Sequence, residues 1–295
     1  FKTIKFACDY VNADLGNRAP ATIFVSAGTY SETIPISIPK ETTIVGDELR
    51  SVTIQPNSGL EANNMFYVSN GGGIRNCTLQ GLIGTLGSAN SYGTKRPSAG
   101  AFISLDPGTG PADTSVHITS KSSYVQNVTT IGTGCIGIKI DGALHNAGNK
   151  SIVANDFTQV ISDGIGVWAT NNGRTEIVSI FTYYNYIGYL SDNGGKIRAT
   201  NGNNSYGTFG SVAEGFDSTE TPITGTVNNR SLDATANVLT DNENMILALE
   251  YKNAGRTYKN KASGSNASTV TFAGQGVDAT ATYEETRDGA VSEVR

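Results

Sequence analysis

Two short motifs recur along the middle of the chain at intervals of 20 to 29 residues. The copies of the first motif are Ile136–Asp141, Ile165–Thr170 and Ile187–Asp192, with Ala101–Asp106 as an earlier, degenerate copy. The copies of the second motif are Ile152–Phe157, Ile177–Thr182 and Ile197–Asn201. A drifting period of this length is typical of a solenoid, in which each repeat forms one coil and loops of variable length join the coils.

The apolar runs around these motifs are four to seven residues long and are separated by Gly, Asn, Asp and Ser. Such runs indicate short strands rather than alternating strand and helix units. Ile136, Ile138 and Ile140 occupy alternate positions, so we expect all three to point inward. Coils stacked about 4.8 Å apart would align these rows into one core. We therefore predict an all-β fold, a right-handed parallel β-helix over residues 15–212.

A single helix is predicted at the start of the chain. Phe1, Ile4, Cys8 and Val11 recur at three- and four-residue steps, which indicates a short amphipathic helix within residues 1–14. The end of a β-helix exposes an open sheet edge, and a helix laid over that end would cover it. We expect this helix to cap the β-helix.

Other segments interrupt or follow the repeat. Residues 85–97 are mostly polar and are interpreted as a lateral loop. A linker is predicted at 217–222, and residues 213–295 are predicted to form a smaller β-rich region. Because the chain begins with Phe1 and has no tail-like composition at its end, we interpret it as part of a longer polypeptide.

The composition argues against several classes of partner. The net charge is −5 and the basic residues are scattered, so we expect no nucleic-acid partner. No apolar run approaches the roughly 18 residues needed to span a bilayer, so we expect no membrane insertion. Cys8, Cys77 and Cys135 are widely spaced and lack a Cys-x-x-Cys pair, which favours buried free thiols and predicts no metal site or cofactor.

Two stretches of the early coils resemble known β-helix proteins. Residues 21–32 (ATIFVSAGTYSE) and 43–47 (TIVGD) resemble the opening coils of pectin-active, pectin lyase-like β-helix proteins and of phage tail-spike β-helices. Tyr206–Gly210 and the Asn/Gly/Thr-rich coils before it are similar in style to structural appendage proteins of tailed phages. The resemblance implies a tail fibre, tail spike or baseplate protein in the virion, a homotrimer that contacts other virion proteins and a host-surface polysaccharide.

The motifs of the pectin-active enzymes are missing from the sequence. We find no counterpart of the Asp-Phe-Ile-Phe-Gly-type coil of pectin methylesterases, or of the Asn-Thr-Asp, Gly-Asp-Asp, Gly-His-Gly and Arg-Ile-Lys motifs of polygalacturonases. The calcium-binding acids and Arg base of pectate lyases are not evident either. The fold by itself does not confer their chemistry.

One column of outward residues is a candidate for chemistry. Asp106, Asp141, Thr170 and Asp192 each follow the third inward position of a first-motif copy. If Asp106 and Asp141 lie on adjacent coils, their carboxylates would have the spacing of a retaining glycosidase pair, about 5 Å. They would equally suit Ca²⁺. The alternative is ordinary turn chemistry, since Asp is common at strand ends before Pro, Gly or Asn.

The aromatic candidates are Trp168, the single tryptophan, and the nearby Tyr183 and Tyr184. Trp168 is expected on the outer face, where its ring would serve as a glycan platform, a subunit interface or partial core.

The sequence therefore favours a structural virion appendage that presents a rigid β-helix for attachment to a host glycan. Two alternatives stay open. One is a polysaccharide lyase or glycoside hydrolase acting on host capsule, and the other is a secreted, extracellular adhesin.

Overall fold

The computed structural model describes residues 1–14, 20–90, 93–107, 117–143 and 150–214, together with short strands between 223 and 294. The chain divides into two compact units, one formed by residues 1–214 with 292–295 and the other by residues 215–291.

The first unit contains one helix and most of the strands. They are α1 Ile4–Asp14, β1 Ala21–Val25, β2 Gly28–Glu32, β3 Ile36–Ser37, β4 Thr42–Gly46, β5 Val52–Pro56, β6 Phe66–Val68, β7 Gly73–Ile83, β8 Leu86–Ala89, β9 Lys95–Pro97, β10 Ala101–Leu105, β11 Ser123–Thr133, β12 Ile136–Asp141, β13 Ser151–Ser162, β14 Ile165–Thr170, β15 Arg174–Tyr183, β16 Ile187–Asp192, β17 Lys196–Thr200, β18 Asn203–Ser205 and β19 Phe209–Glu214.

The described part of the second unit forms antiparallel strands. They are β20 Ile223–Asn228, β21 Ser231–Ala234, β22 Ala248–Asn253, β23 Arg256–Ser265, β24 Thr269–Phe272 and β25 Thr282–Glu285. The last strand, β26 Glu293–Val294, belongs to the first unit and pairs in parallel with β17. The predicted linker at 217–222 falls outside the described residues.

The repeat in the sequence corresponds to parallel stacking of strands. Sheet B runs in the order β19-β16-β14-β12-β10-β6-β3, with parallel pairing throughout. Ile138 pairs with Val167, and Val167 pairs with Tyr189, so the three first-motif copies lie on successive layers of one face. The predicted parallel β-helix is confirmed, with one strand of sheet B in each coil.

Sheet A supplies the other sides of each coil. Its long strands β7, β11, β13 and β15 each pass through one non-glycine residue with positive φ, and these residues stack in register. They are Asn76, Asn127, Asp156 and Ser179, with φ of 58°, 50°, 50° and 53°. Asn and Asp tolerate this left-handed conformation better than most residues. A repeated one-residue corner therefore bends these four strands at the same place.

The core lies inside the coils and contains two of the three isoleucines predicted to face inward. Ile138 and Ile140 are fully buried in the core cluster. The prediction for Ile136 is wrong, because it belongs to a second apolar cluster with Ile165, Ile187 and Leu190. The neighbouring position in the chain is Gly137, where a β carbon would overlap the side chain of Gln159, so the interior space there is already filled.

Helix α1 covers the first coil as predicted. Ile4 and Cys8 join the core cluster, while Glu32 of β2 accepts hydrogen bonds from the backbone N–H groups of Ile4 (2.7 Å) and Lys5 (3.1 Å). The first N–H groups of a helix have no partner within the helix, and a carboxylate there also interacts favourably with the helix dipole. One carboxylate thus joins the cap to the second strand of the β-helix.

The segment predicted as a lateral loop has regular structure. Strands β8 and β9 pair antiparallel and form what we call the side hairpin. The hairpin arises because β8 and β9 pair with each other rather than with a strand of the stacked coils.

Candidate functional site

A groove lies on the outer face of sheet B. Tyr67, Ser104, Lys139 and Trp168 are register partners on β6, β10, β12 and β14, so they form one column along the stack. All four line a cavity of about 520 Å³, which we call the Trp168 groove. This volume is within the usual range for ligand sites.

The walls of the groove come from two loops. Residues 62–64 form one wall, and residues 97–100, which continue from the side hairpin, form the other. Asn64 donates from Nδ2 to the Tyr67 hydroxyl oxygen (3.1 Å) and accepts from Ala101 N at Oδ1 (2.7 Å). The groove therefore has an aromatic and polar lining whose Tyr67 hydroxyl is held in place.

Trp168 is fixed in orientation within this groove. Its indole Nε1–H donates to Asp192 Oδ1 at 3.0 Å, and the ring packs on the second apolar cluster, which includes Leu190. Two cations lie against the ring: Lys139 Nζ is 4.7 Å and the Arg96 guanidinium carbon 5.2 Å from its centroid. Such cation–π contacts stabilise the arrangement further.

The side hairpin is attached to the later coils through Arg96. Its Nη2 lies 3.0 Å from Asp192 Oδ2 and 2.8 Å from Glu214 Oε2. Glu214 also accepts hydrogen bonds from Asn90 Nδ2 (3.0 Å) and from the Thr94 hydroxyl. We call Asn90, Thr94, Arg96, Asp192 and Glu214 the hairpin cluster.

The environment of Glu214 favours its charged form. Burial raises the pKa of this carboxyl, but hydrogen bonds from Thr94, Arg96 and Asn90 and the charge of Arg96 outweigh that effect. The pKa of Glu214 therefore lies below its ordinary value of 4.5. Glu214 is a carboxylate at neutral pH.

Asp141 is occupied by its own neighbours. Its Oδ1 accepts from Asn171 Nδ2 (2.9 Å) and from Ala143 N (3.2 Å), while Oδ2 lies 3.1 Å from Lys139 Nζ. A carboxylate that accepts from the backbone two residues on is the turn arrangement that the sequence left open as the alternative.

The structure places the predicted acidic column along one edge of sheet B. Asp141 pairs with Thr170, and Asp106 directly follows β10, the strand next to β12. Asp192 lies on β16, two layers and about 10 Å along the stack from Asp141. Among the described residues, no group of three or more His, Cys, Asp or Glu is arranged to hold a metal ion.

Sequence reasoning missed Glu214 and Arg96. Glu214 is the register partner of Asp192, so extending the first motif by one more coil would have found it. The recognisable repeat fades near residue 210, which hid it. Arg96 could not be identified from the sequence. Nothing in the local sequence of the side hairpin indicates that Arg96 contacts Asp192 and Glu214, which follow it by 96 and 118 residues.

The two predicted tyrosines lie away from the groove lining. Tyr183 is on β15 of sheet A, in register with Val160. Tyr184 is half-exposed at the following corner with φ of 64°, and its ring stacks on Tyr206 at a centroid distance of 5.6 Å. Trp168 and these tyrosines therefore do not form one site.

The fold and the groove together define the chain as a parallel β-helix protein with an aromatic groove on one sheet. No family model matches the chain, and no curated protein matches it. No helix within the described residues is long and apolar enough to cross a membrane.

Two solved structures show a likeness in fold. One is titled 1,3-alpha-1,4-beta-D-galactose-4-sulfate-3,6-anhydro-D-galactose-2-sulfate 4 galactohydrolase, with 16% identity, 67% of this chain and 52% of that chain covered, and a TM-score of 0.30. The other is ORF18 of Geobacillus virus E2, with 12% identity, 91% and 69% coverage and a TM-score of 0.27. The chain spans about half the length of the galactohydrolase, and neither likeness bears on function.

Proposed function

We propose that this protein binds a glycan and that the Trp168 groove is the binding site. The observation that carries the proposal is the aligned column of Tyr67, Ser104, Lys139 and Trp168 at the floor of an open groove of about 520 Å³. Aromatic faces contact the apolar side of sugar rings, and polar groups beside them bind hydroxyls. The stacked coils hold these side chains on rigid strands, so little order is lost on binding.

The state of the carboxylates near the groove fits glycan binding without cleavage better than it fits glycan hydrolysis. A glycosidase needs one carboxyl group with a raised pKa as general acid and a second, available carboxylate. Glu214 has a lowered pKa, and every carboxylate oxygen of Asp141, Asp192 and Glu214 has a hydrogen-bond or ion-pair partner. These groups instead hold Lys139, Trp168 and Arg96 in place.

The proposed setting is the virion of a tailed phage, as a tail fibre, tail spike or baseplate appendage that attaches to a host-surface polysaccharide. It rests on the resemblance of residues 21–32, 43–47 and 206–210 to such proteins. A continuous ladder of backbone hydrogen bonds gives a stiff body suited to that task. A secreted adhesin would use the same groove.

We further propose a homotrimer. On sheet A, Gln80, Ile131, Val160 and Tyr183 form an outward column without charge, and Ile131 is 42% exposed. Uncharged and partly apolar faces of this kind suit a subunit interface. Sedimentation equilibrium of the protein tests this: a mass of three chains supports the trimer, and a single-chain mass at micromolar concentration rejects it.

A glycan array tests the binding function. The wild-type protein is expected to retain a subset of bacterial surface oligosaccharides, and Trp168→Ala is expected to lose them. Phe24→Ala is the matched control, since Phe24 is 79% exposed on β1 and does not line the groove. Loss of binding in both variants, or in neither, would reject the groove as the site, and release of new reducing ends from a bound glycan would show an enzyme.

A further inference from the structure

We propose that the Trp168 groove selects glycans with an anionic substituent, a carboxylate or a sulfate, and that Lys139 Nζ contacts that group. This inference rests on the proposed glycan-binding function and adds the chemical class of the ligand.

The first observation is the charge of the lining. Of the described residues that line the groove, Lys139 is the one that carries a charge. The other floor residues, Tyr67, Ser104 and Trp168, are neutral, as are residues 62–64 and 97–100 of the walls. A ligand in the groove therefore meets one ammonium group against a neutral background.

The second observation is that the ion pair of Lys139 is exposed unequally. Lys139 Nζ lies 3.1 Å from Asp141 Oδ2, but the Lys139 side chain is 22% exposed and that of Asp141 only 8%. The other oxygen of Asp141, Oδ1, accepts hydrogen bonds from Asn171 and Ala143. Lys139 lines the groove, whereas the more buried Asp141 that balances its charge does not.

The third observation concerns which of the two cations near Trp168 can donate a hydrogen bond to a ligand in the groove. An ammonium has three N–H donors, and Lys139 Nζ contacts Asp141 Oδ2 and the Trp168 ring. Arg96 uses Nη2 on Asp192 and Glu214 and Nη1 on Thr94 Oγ1 (2.8 Å). Arg96 does not line the groove, whereas Lys139 lines it, has a third N–H donor beyond its two contacts, and is positioned by the indole ring.

The test uses glycans that differ only in charge. Uronate-containing, sialylated, sulfated and neutral oligosaccharides of equal length are arrayed, and the strongest acidic binder is compared with its twin after carboxyl reduction or desulfation. We expect the charged member to bind the wild-type protein about tenfold more tightly than its twin, as for a charge-assisted hydrogen bond. Lys139→Gln/Asp141→Asn, which removes both charges together, is expected to bind the charged glycan and its neutral twin equally. The separate variant Lys139→Arg, which keeps the positive charge, is expected to retain the preference for the charged glycan.

Arg198→Gln/Glu176→Gln is the matched control, since it also removes an ion pair without changing the net charge, and this exposed pair on sheet A does not line the groove. Equal binding of the charged and neutral twins by the wild-type protein would overturn the inference and leave glycan binding intact. A charge preference that survives in Lys139→Gln/Asp141→Asn would also overturn it. Failure of every glycan to bind would instead reject the proposed function. The arms with carboxylate and sulfate ligands show which anion is recognised.

Discussion

The indole N–H of Trp168 donates to Asp192 Oδ1 across 24 residues of sequence and one step of the stack. The other oxygen of Asp192 binds Arg96 of the side hairpin, so a single carboxylate connects the groove floor with the hairpin. Because the strands of sheet B set this contact, the groove and the β-helix are one structural unit.

Arg96→Ala is predicted to detach the side hairpin. The substitution leaves Asp192 and Glu214, both buried, without their shared cation, and such a loss costs on the order of 1–3 kcal/mol. Limited proteolysis should then cut within residues 86–97, where the wild-type protein resists. Arg198→Ala is the control, since the Arg198–Glu176 pair is exposed and contributes little. Equal cleavage of both variants would contradict the role of Arg96.

Acid is predicted to weaken the hairpin cluster through Glu214. The pKa of this group is lower in the folded chain than its ordinary value of 4.5, so the unfolded chain binds the proton more readily. The stabilisation is complete above pH 4.5 and is lost as the pH falls through the folded-state pKa. Denaturant unfolding of the wild-type protein and Glu214→Gln between pH 7 and pH 3 should show stabilities that converge in acid. Curves that stay parallel would exclude this contribution.

The three thiols are predicted to be unreactive in the native protein. Cys8, Cys77 and Cys135 are buried and free, and burial raises the pKa of each to about 12. The thiolate is the reactive form, and at pH 8 it is nearly absent. Iodoacetamide should label no cysteine in buffer and all three in guanidinium chloride. Rapid labelling of Cys77 in buffer would mean that the coils open easily.

Glu32→Gln is predicted to loosen the cap. The substitution removes the charge that faces the first N–H groups of α1, which is worth about 0.5–2 kcal/mol. Hydrogen exchange should speed up in α1 and in its neighbours β1 to β3 more than in β12 to β16. Glu61→Gln, away from the helix, provides the comparison, and uniform acceleration over all coils would argue against a local cap.

The coils were predictable because the physical constraint repeats. Each layer needs the same inward pair, as at Ile138 and Ile140, and the same corner, as at Asn127, so the sequence carries the pattern many times. The outer face has no such constraint. Ile136 was assigned to the wrong side because a Gly at the next position and the bulk of Gln159 alter the simple alternation.

The groove was less visible in the sequence than the fold. Trp168 and Asp192 were recognised as outward residues, but their direct contact depends on the register of β14 and β16. Arg96 joins them from a hairpin whose placement no local pattern encodes. The long-range ion pairs and hydrogen bonds between this insertion and the later coils depend on the three-dimensional arrangement and leave no pattern in the local sequence.

The emission of Trp168 tests the central claim most directly, because the chain has one tryptophan and it lines the proposed site. A glycan that the protein retains on an array should change this emission in a saturable titration, with the same Kd as an independent binding measurement. Tight binding with no change in Trp168 emission would place the glycan elsewhere and contradict the account.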